Sequence, residues 1–227
     1  MAELSRHDLA VRMADLARAV ATRRSVDQIL VDVTAAAIEL IPGVDTAGVL
    51  LIGTGGKFES LAGTSSLPYQ LDELQVTFQE GPCMQAALAD VVVRTEDFRE
   101  ETRWPSYSKV AVDIGVLSGL SIKLYTADRT AGALNLFGFQ PRAWDAEAET
   151  IGTVLAAHAA AALMAGRRAE QLTSALTTRD RIGQAKGIIM ERYQVDDVQA
   201  FEMLRRLSQD SNTKLIDIAQ QVIDTRG

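Results

Sequence analysis

The chain reads as an α+β protein: an antiparallel sheet flanked by helices, a long connecting helix, and a small three-helix bundle. Three observations point there. Two pairs of apolar runs bracket turn-forming residues, at 46–62 and 116–139. No proline follows Pro141, and helix-forming residues dominate from Asp145 to Arg192. Beyond that, two short amphipathic patterns restart after polar breaks.

Residues 3–21 predict an amphipathic helix, and Ser25 caps a second one ending near Ile41-Pro42-Gly43. Thr46–Ile52 predicts a strand, Gly53-Thr54-Gly55-Gly56 a turn, and Phe58–Ala62 the returning strand. Helices are expected at Tyr69–Phe78 and Pro82–Ala89, then a strand at Val91–Val93 and a helix opened by Trp104-Pro105 that ends near Gly115. Val116–Tyr125 and Thr130–Phe139 form a second hairpin around Ala127-Asp128-Arg129. Antiparallel strands with interspersed helices make a sheet with helices packed on it.

The 227 residues suffice for two small domains, and 47% hydrophobic residues permit real cores. No run of eighteen apolar residues occurs and the first residues lack a signal peptide's pattern, so a cytoplasmic protein without membrane association is expected. One cysteine, Cys83, excludes an internal disulfide. With only two histidines, His7 and His158, no common zinc set can form, and no metal site is expected. No catalytic constellation is visible, and Gly53-Thr54-Gly55-Gly56 reads as a hairpin turn rather than a phosphate cradle, so no enzyme is expected. Cys83 follows Pro82 at an expected helix N-terminus, where the helix dipole lowers a thiolate's pKa. Redox sensing and simple core filling are both open for it. His158, on an alanine-rich face, reads as a helix-interface residue.

In the long helix, Ile151, Leu155, His158, Ala162, Ala165, Ala169, Leu172 and Leu176 alternate spacings of four and three, the heptad seam of a coiled coil. Paired between chains, this seam makes a homodimer, with helix 3–21 as an added partner. Its first turns can instead cover the sheet. Gly166 is the one soft point expected in this connection. Further on, Leu172, Leu176, Ile182, Ala185 and Ile189 form an apolar stripe, interrupted by Gly183 and Gly187 on one face. Each glycine costs about 1 kcal/mol relative to alanine in a helix, which calls for close approach of a neighbouring helix or of a polynucleotide backbone.

After Tyr193-Gln194-Val195, Asp196 and Gln199 have capping-box spacing, and Ala200, Phe201, Leu204 and Leu207 give the next stripe. That helix is expected to end near Gln209. Ser211 or Asn212 then caps a third helix, with Leu215, Ile218, Ala219, Val222 and Ile223 buried. The unit leaves Arg179, Lys186, Arg192, Arg205, Arg206 and Lys214 as candidate nucleic-acid contacts, each of which can equally be a solvated surface charge. The chain is acidic overall, at −7, while residues 169–227 hold 8 Lys and Arg against 9 Asp and Glu. Any nucleic-acid site is therefore a local patch rather than a basic domain.

Over about fifty positions this C-terminal string resembles the ANTAR domain, an RNA-binding module of bacterial transcription antitermination regulators. The match rests on Leu176, Arg179, Ile182, Ala185-Lys186-Gly187-Ile188, Met190, Ala200-Phe201, Leu204-Arg205-Arg206-Leu207-Ser208, Asn212, Lys214-Leu215 and Ala219. The resemblance implies binding to hairpins in nascent mRNA leaders, with the transcription machinery affected indirectly. Residues 24–165 resemble a GAF domain, a small-molecule sensor and dimerisation module. Gly81-Pro82-Cys83 with Ala86, Asp97, Trp104-Pro105, Gly115-Val116-Leu117-Ser118 and Gly132-Ala133-Leu134-Asn135-Leu136-Phe137 carry that likeness. It implies a pocket for a small-molecule ligand that the residues do not identify. The expected division is an N-terminal helix at 1–23, a GAF-like sensor at 24–165, and an ANTAR-like domain at 166–227. Two rivals remain: a ligand- or redox-sensing protein that works through protein contacts, and DNA binding through the helix after Asn212-Thr213-Lys214. Against DNA stands Asp217, one turn on, which would face the duplex.

Overall fold

A computed structural model describes residues 11, 14, 15, 18, 25–53, 57–88, 91–125 and 131–225. The helix expected at 3–21 lies almost wholly outside them, as do turn residues 54–56 and 127–129. The chain divides into two compact units, residues 1–166 and 167–227.

In the first unit, α1 (Val26–Leu40) starts where expected: the Ser25 hydroxyl accepts a hydrogen bond from the Gln28 amide at 3.2 Å. It stops at Ile41, the residue before Pro42, where the α region is disfavoured. Strands β1 (Thr46–Ile52) and β2 (Phe58–Leu61) pair antiparallel in the expected hairpin, Val49 opposite Leu61. Then come α2 (Leu67–Phe78), α3 (Pro82–Leu88), β3 (Val92–Thr95), α4 (Pro105–Asp113), β4 (Ser118–Lys123) and β5 (Ala131–Gly138). The five strands make one antiparallel sheet in the order β2-β1-β5-β4-β3.

Both faces of this sheet are covered. Val49, Leu51, Leu120, Ile122, Leu134 and Leu136 point to one core, which α1 and the start of the long helix α5 (Ala146–Tyr193) close with Leu30, Val33, Ile151 and Leu155. Leu50, Ala133 and Phe137 point the other way, to Leu71, Cys83, Tyr107 and Ala111 of α2, α3 and α4. Double coverage explains why β1 reads as one apolar run rather than an alternation. Each fully buried leucine or isoleucine contributes about 1.5–3 kcal/mol.

Helix α5 is continuous through Gly166, the last residue of the first unit. A β-carbon there would collide with Val26 Cγ2, and one at Gly152 with Ile122 Cδ1. These glycines let the helix lie close on its neighbours. One window of α5 is long and apolar enough to span a bilayer by length and composition, but half of that window is buried inside the protein, as in a core helix.

Candidate nucleic-acid interface

The second unit comprises the C-terminal half of α5, α6 (Asp197–Asp210) and α7 (Leu215–Asp224). Its core is small: Ala185, Ile189, Ala200, Leu204, Ile218 and Ala219, with Ile182, Met190, Leu215, Val222 and Ile223 packed around them. The α5–α6 turn is made by Gln194, whose φ of 53° is left-handed, and by the expected capping box. Asp196 accepts from the Gln199 amide at 2.8 Å, and the Gln199 side chain accepts from the Asp196 amide at 3.3 Å.

The start of the last helix differs from expectation. Neither Ser211 nor Asn212 caps α7; Lys214 occupies that position without a side-chain bond. The Ser211 hydroxyl instead donates back to the Leu207 carbonyl at 2.6 Å, and Asn212 takes a left-handed φ of 48°. Both residues thus terminate α6, where small polar residues satisfy the last carbonyls and tolerate αL backbone.

The six candidate cations divide by environment. Arg179 is exposed on α5, and Lys186, seven residues on, is partly buried and ion-paired with Asp197. Together they line a groove of about 660 Å³ with Asp180, Ile182, Gly183 and Phe201; Ala175 and Thr178 complete it. Arg192, Arg205, Arg206 and Lys214 are exposed but do not line it. The Arg192 guanidinium reaches the Thr225 carbonyl at 3.5 Å, and Arg205 is bound to Glu202 at 2.7 Å. Arg206 and Lys214 have no ion pair among the described residues.

Phe201 was expected in the buried stripe, and it is not there. Ala200 and Leu204 are fully buried, while Phe201 and Leu207 are 37% and 50% exposed. Full burial on α6 is confined to Ala200 and Leu204, with Met203 partly buried against the same core. Leu172 and Leu176 are exposed as well. Nothing described lies within 4 Å of a β-carbon built at Gly183 or Gly187, so no helix among the described residues accounts for these glycines.

The heptad seam divides. Ile151 and Leu155 belong to the sheet-covering core, and Ala162 packs with Ile29. These three are used within the chain and are not open to a second one. His158 is partly buried, its Nδ1 donating to the Val154 carbonyl at 2.8 Å. Ala165, Ala169, Leu172 and Leu176 are exposed.

In the first unit Cys83 is fully buried. Burial, with the Asp72 carboxylate nearby, pushes its thiol well up, so the expected low-pKa thiolate is not formed: depth outweighs a one-turn dipole. Its amide donates to Gln75 Oε1 at 2.8 Å, as part of a polar cluster the sequence reading passed over. Asp72, 2% exposed, accepts from Ser60 Oγ at 2.8 Å and from Asn135 Nδ2 at 3.2 Å, and Ser121 Oγ donates to Asn135 Oδ1 at 2.8 Å. Burial pushes the Asp72 carboxyl up to about 7 against those two hydrogen bonds. The only signal was an acid, Asp72, next to Leu71 on the apolar side of α2, with Glu73 beside it on the exposed side.

Residues 23–164 match the GAF domain family and residues 170–223 the ANTAR domain. The chain belongs to the GAF domain family and carries an ANTAR domain behind it. A GAF domain is a sensor module, and an ANTAR domain implies an RNA-binding antitermination regulator; both kinds of domain are regulatory. No curated protein compared with the chain matches it.

Solved structures share the fold of the first unit. A photosensory core module of a Stigmatella aurantiaca phytochrome aligns with a TM-score of 0.61 at 12% identity, over 89% of this chain and 45% of that one. The LuxR family transcription factor CepR2 from Burkholderia cenocepacia, described as N-acylhomoserine lactone dependent, gives 0.57 at 18%, over 70% and 98%. The free methionine-R-sulfoxide reductase of Neisseria meningitidis gives 0.52 at 17%, over 74% and 98%. At these identities the likeness concerns fold alone.

Proposed function

We propose that the GAF–ANTAR protein is a cytoplasmic transcription antitermination regulator without enzymatic activity. Its ANTAR unit binds hairpins in nascent mRNA leaders, and the GAF unit controls that binding. The observation that carries this reading is the groove of Arg179 and Lys186 in a matched ANTAR domain, on a chain otherwise acidic. Arg192, Arg205, Arg206 and Lys214 add exposed positive charge for phosphates, while specificity comes from loop shape and unstacked bases, as is usual for RNA. DNA binding is disfavoured by Asp217 in the first turn of α7.

RNA recovered with the full chain and sequenced tests this. Lys186→Ala and Arg206→Ala are expected to lower recovery several-fold and to make the salt dependence of binding shallower, by about one phosphate contact each. Equal recovery from all three chains removes the assignment.

The regulator acts as a homodimer in this reading, with the open part of the seam, Ala165, Ala169, Leu172 and Leu176, meeting its copy. Two ANTAR units then engage two hairpins together, and a shift in the spacing or register of the paired helices alters that engagement. Light scattering is expected to give twice the chain mass, and Leu172→Glu with Leu176→Glu to halve it. A concentration-independent monomer in the unaltered protein excludes the dimer.

A further inference from the structure

We propose that the groove between α5 and α6 receives one nucleobase swung out of an RNA loop, and prefers a base with an exocyclic amino group. This deepens the RNA-binding reading and rests on it. The Phe201 ring, 37% exposed, lines this groove and offers a stacking face at its wall. Gly183 lines the same groove and leaves the helix surface there bare, with nothing described within 4 Å of where a β-carbon would stand. A flat ring needs this combination of an aromatic wall and a missing side chain. Arg179 and Lys186 line the same groove, Lys186 being oriented by its ion pair with Asp197, and they serve the phosphates on either side of the unstacked nucleotide. Asp180 is the one carboxylate lining this groove, and the Thr178 hydroxyl is the other side-chain acceptor there. A carboxylate accepts from the amino group of cytosine, adenine or guanine, whereas uracil presents carbonyl oxygens there. The occupant is thus a nucleotide with an amino-bearing base rather than a peptide segment. A peptide would use the apolar wall but leave Arg179, which has no ion pair among the described residues, without an anion, Lys186 being already paired with Asp197.

The probe is a pool of hairpin RNAs with one fixed stem and a randomised loop of about eight nucleotides, selected on the full chain. Wild type is expected to enrich hairpins in which one loop position excludes uracil. Phe201→Leu and Gly183→Leu are expected to bind the enriched hairpin about 5- to 150-fold more weakly, the factor that loss of one base–aromatic stack carries. Gly183→Leu adds a helix-favouring residue to an open position, so its thermal melting is unchanged or raised, and weaker binding cannot come from unfolding. Asp180→Asn is expected to admit uracil at the excluded position. An abasic nucleotide there is expected to weaken wild type by the same factor as Phe201→Leu, with no further loss when the two are combined. If wild type enriches hairpins but abasic substitutions at every loop position act independently of Phe201→Leu, the groove assignment is overturned while RNA binding stands. Enrichment of no hairpin by wild type overturns both.

Discussion

Leu204→Ala is expected to unfold the ANTAR unit and abolish RNA recovery while the GAF unit stays folded. Leu204 is fully buried, in a core where three of the six buried residues are alanines. Burial there depends on Ile189, Leu204 and Ile218. Truncating a buried leucine to alanine costs about 2–5 kcal/mol, from lost transfer and from the cavity left behind. A unit of this size has little stability to spare. The measurement is hydrogen exchange on the full chain: amides of α6 and α7 should lose protection, and those of β1, β4 and β5 should keep it. Leu207→Ala, at a position 50% exposed, is the control and should change stability by no more than about 0.5 kcal/mol. Retained protection in α6 of the Leu204→Ala chain would show that this core does not hold the unit together.

Local chemistry was legible at several elements, though not at the start of the last helix, where Ser211 and Asn212 end α6 instead of capping α7. Strand β1 and the caps at Ser25 and Asp196 stand where expected, because a capping hydroxyl or carboxylate acts on amides two or three residues away. The unbroken α5 follows from a long stretch without proline. What the sequence left open is partnership. Ile151, Leu155 and Ala162 share one heptad seam with Leu172 and Leu176, yet the first three are buried in this chain and the last two are exposed. Spacing reports that a face is apolar and is silent on what covers it. Cys83 fails for a related reason: its place at a helix start was legible, but its depth beneath α2 and α4 is set by contacts distant in sequence. The candidate site was half legible. Arg179 and Lys186 stood out by type and spacing, whereas Phe201 passed as core because it adjoins Ala200, and apolar spacing does not tell which of two neighbours is covered.

The GAF unit is expected to lose stability as pH rises from about 4 to about 7, opposite in sign to ordinary acid denaturation. Asp72 has a carboxyl pushed up to about 7 in the fold, against 3.8 unperturbed. Below the lower value it is protonated folded and unfolded, and contributes no pH dependence. Between the two values the unfolded chain has released this proton and the folded chain still holds it, so each rise in pH favours unfolding; above about 7 the effect levels off. The whole interval amounts to about 4 kcal/mol at most. Asp97, held low by hydrogen bonds from Arg99, acts in the usual direction, with its stabilisation lost only below the ordinary carboxylate range, so the two windows separate. The reporter is built in: Trp104 and Trp144, the two tryptophans of the chain, are both buried in the GAF unit. Urea unfolding followed by tryptophan fluorescence therefore reads this unit by itself. Asp72→Asn keeps the shape, allows Ser60 to turn its hydroxyl and accept, and removes the charge. It should flatten the decline between pH 5 and 7 and exceed wild type in stability at pH 8. An unchanged slope in the asparagine variant would mean that Asp72 is ionised throughout, its hydrogen bonds from Ser60 and Asn135 outweighing the cost of burial.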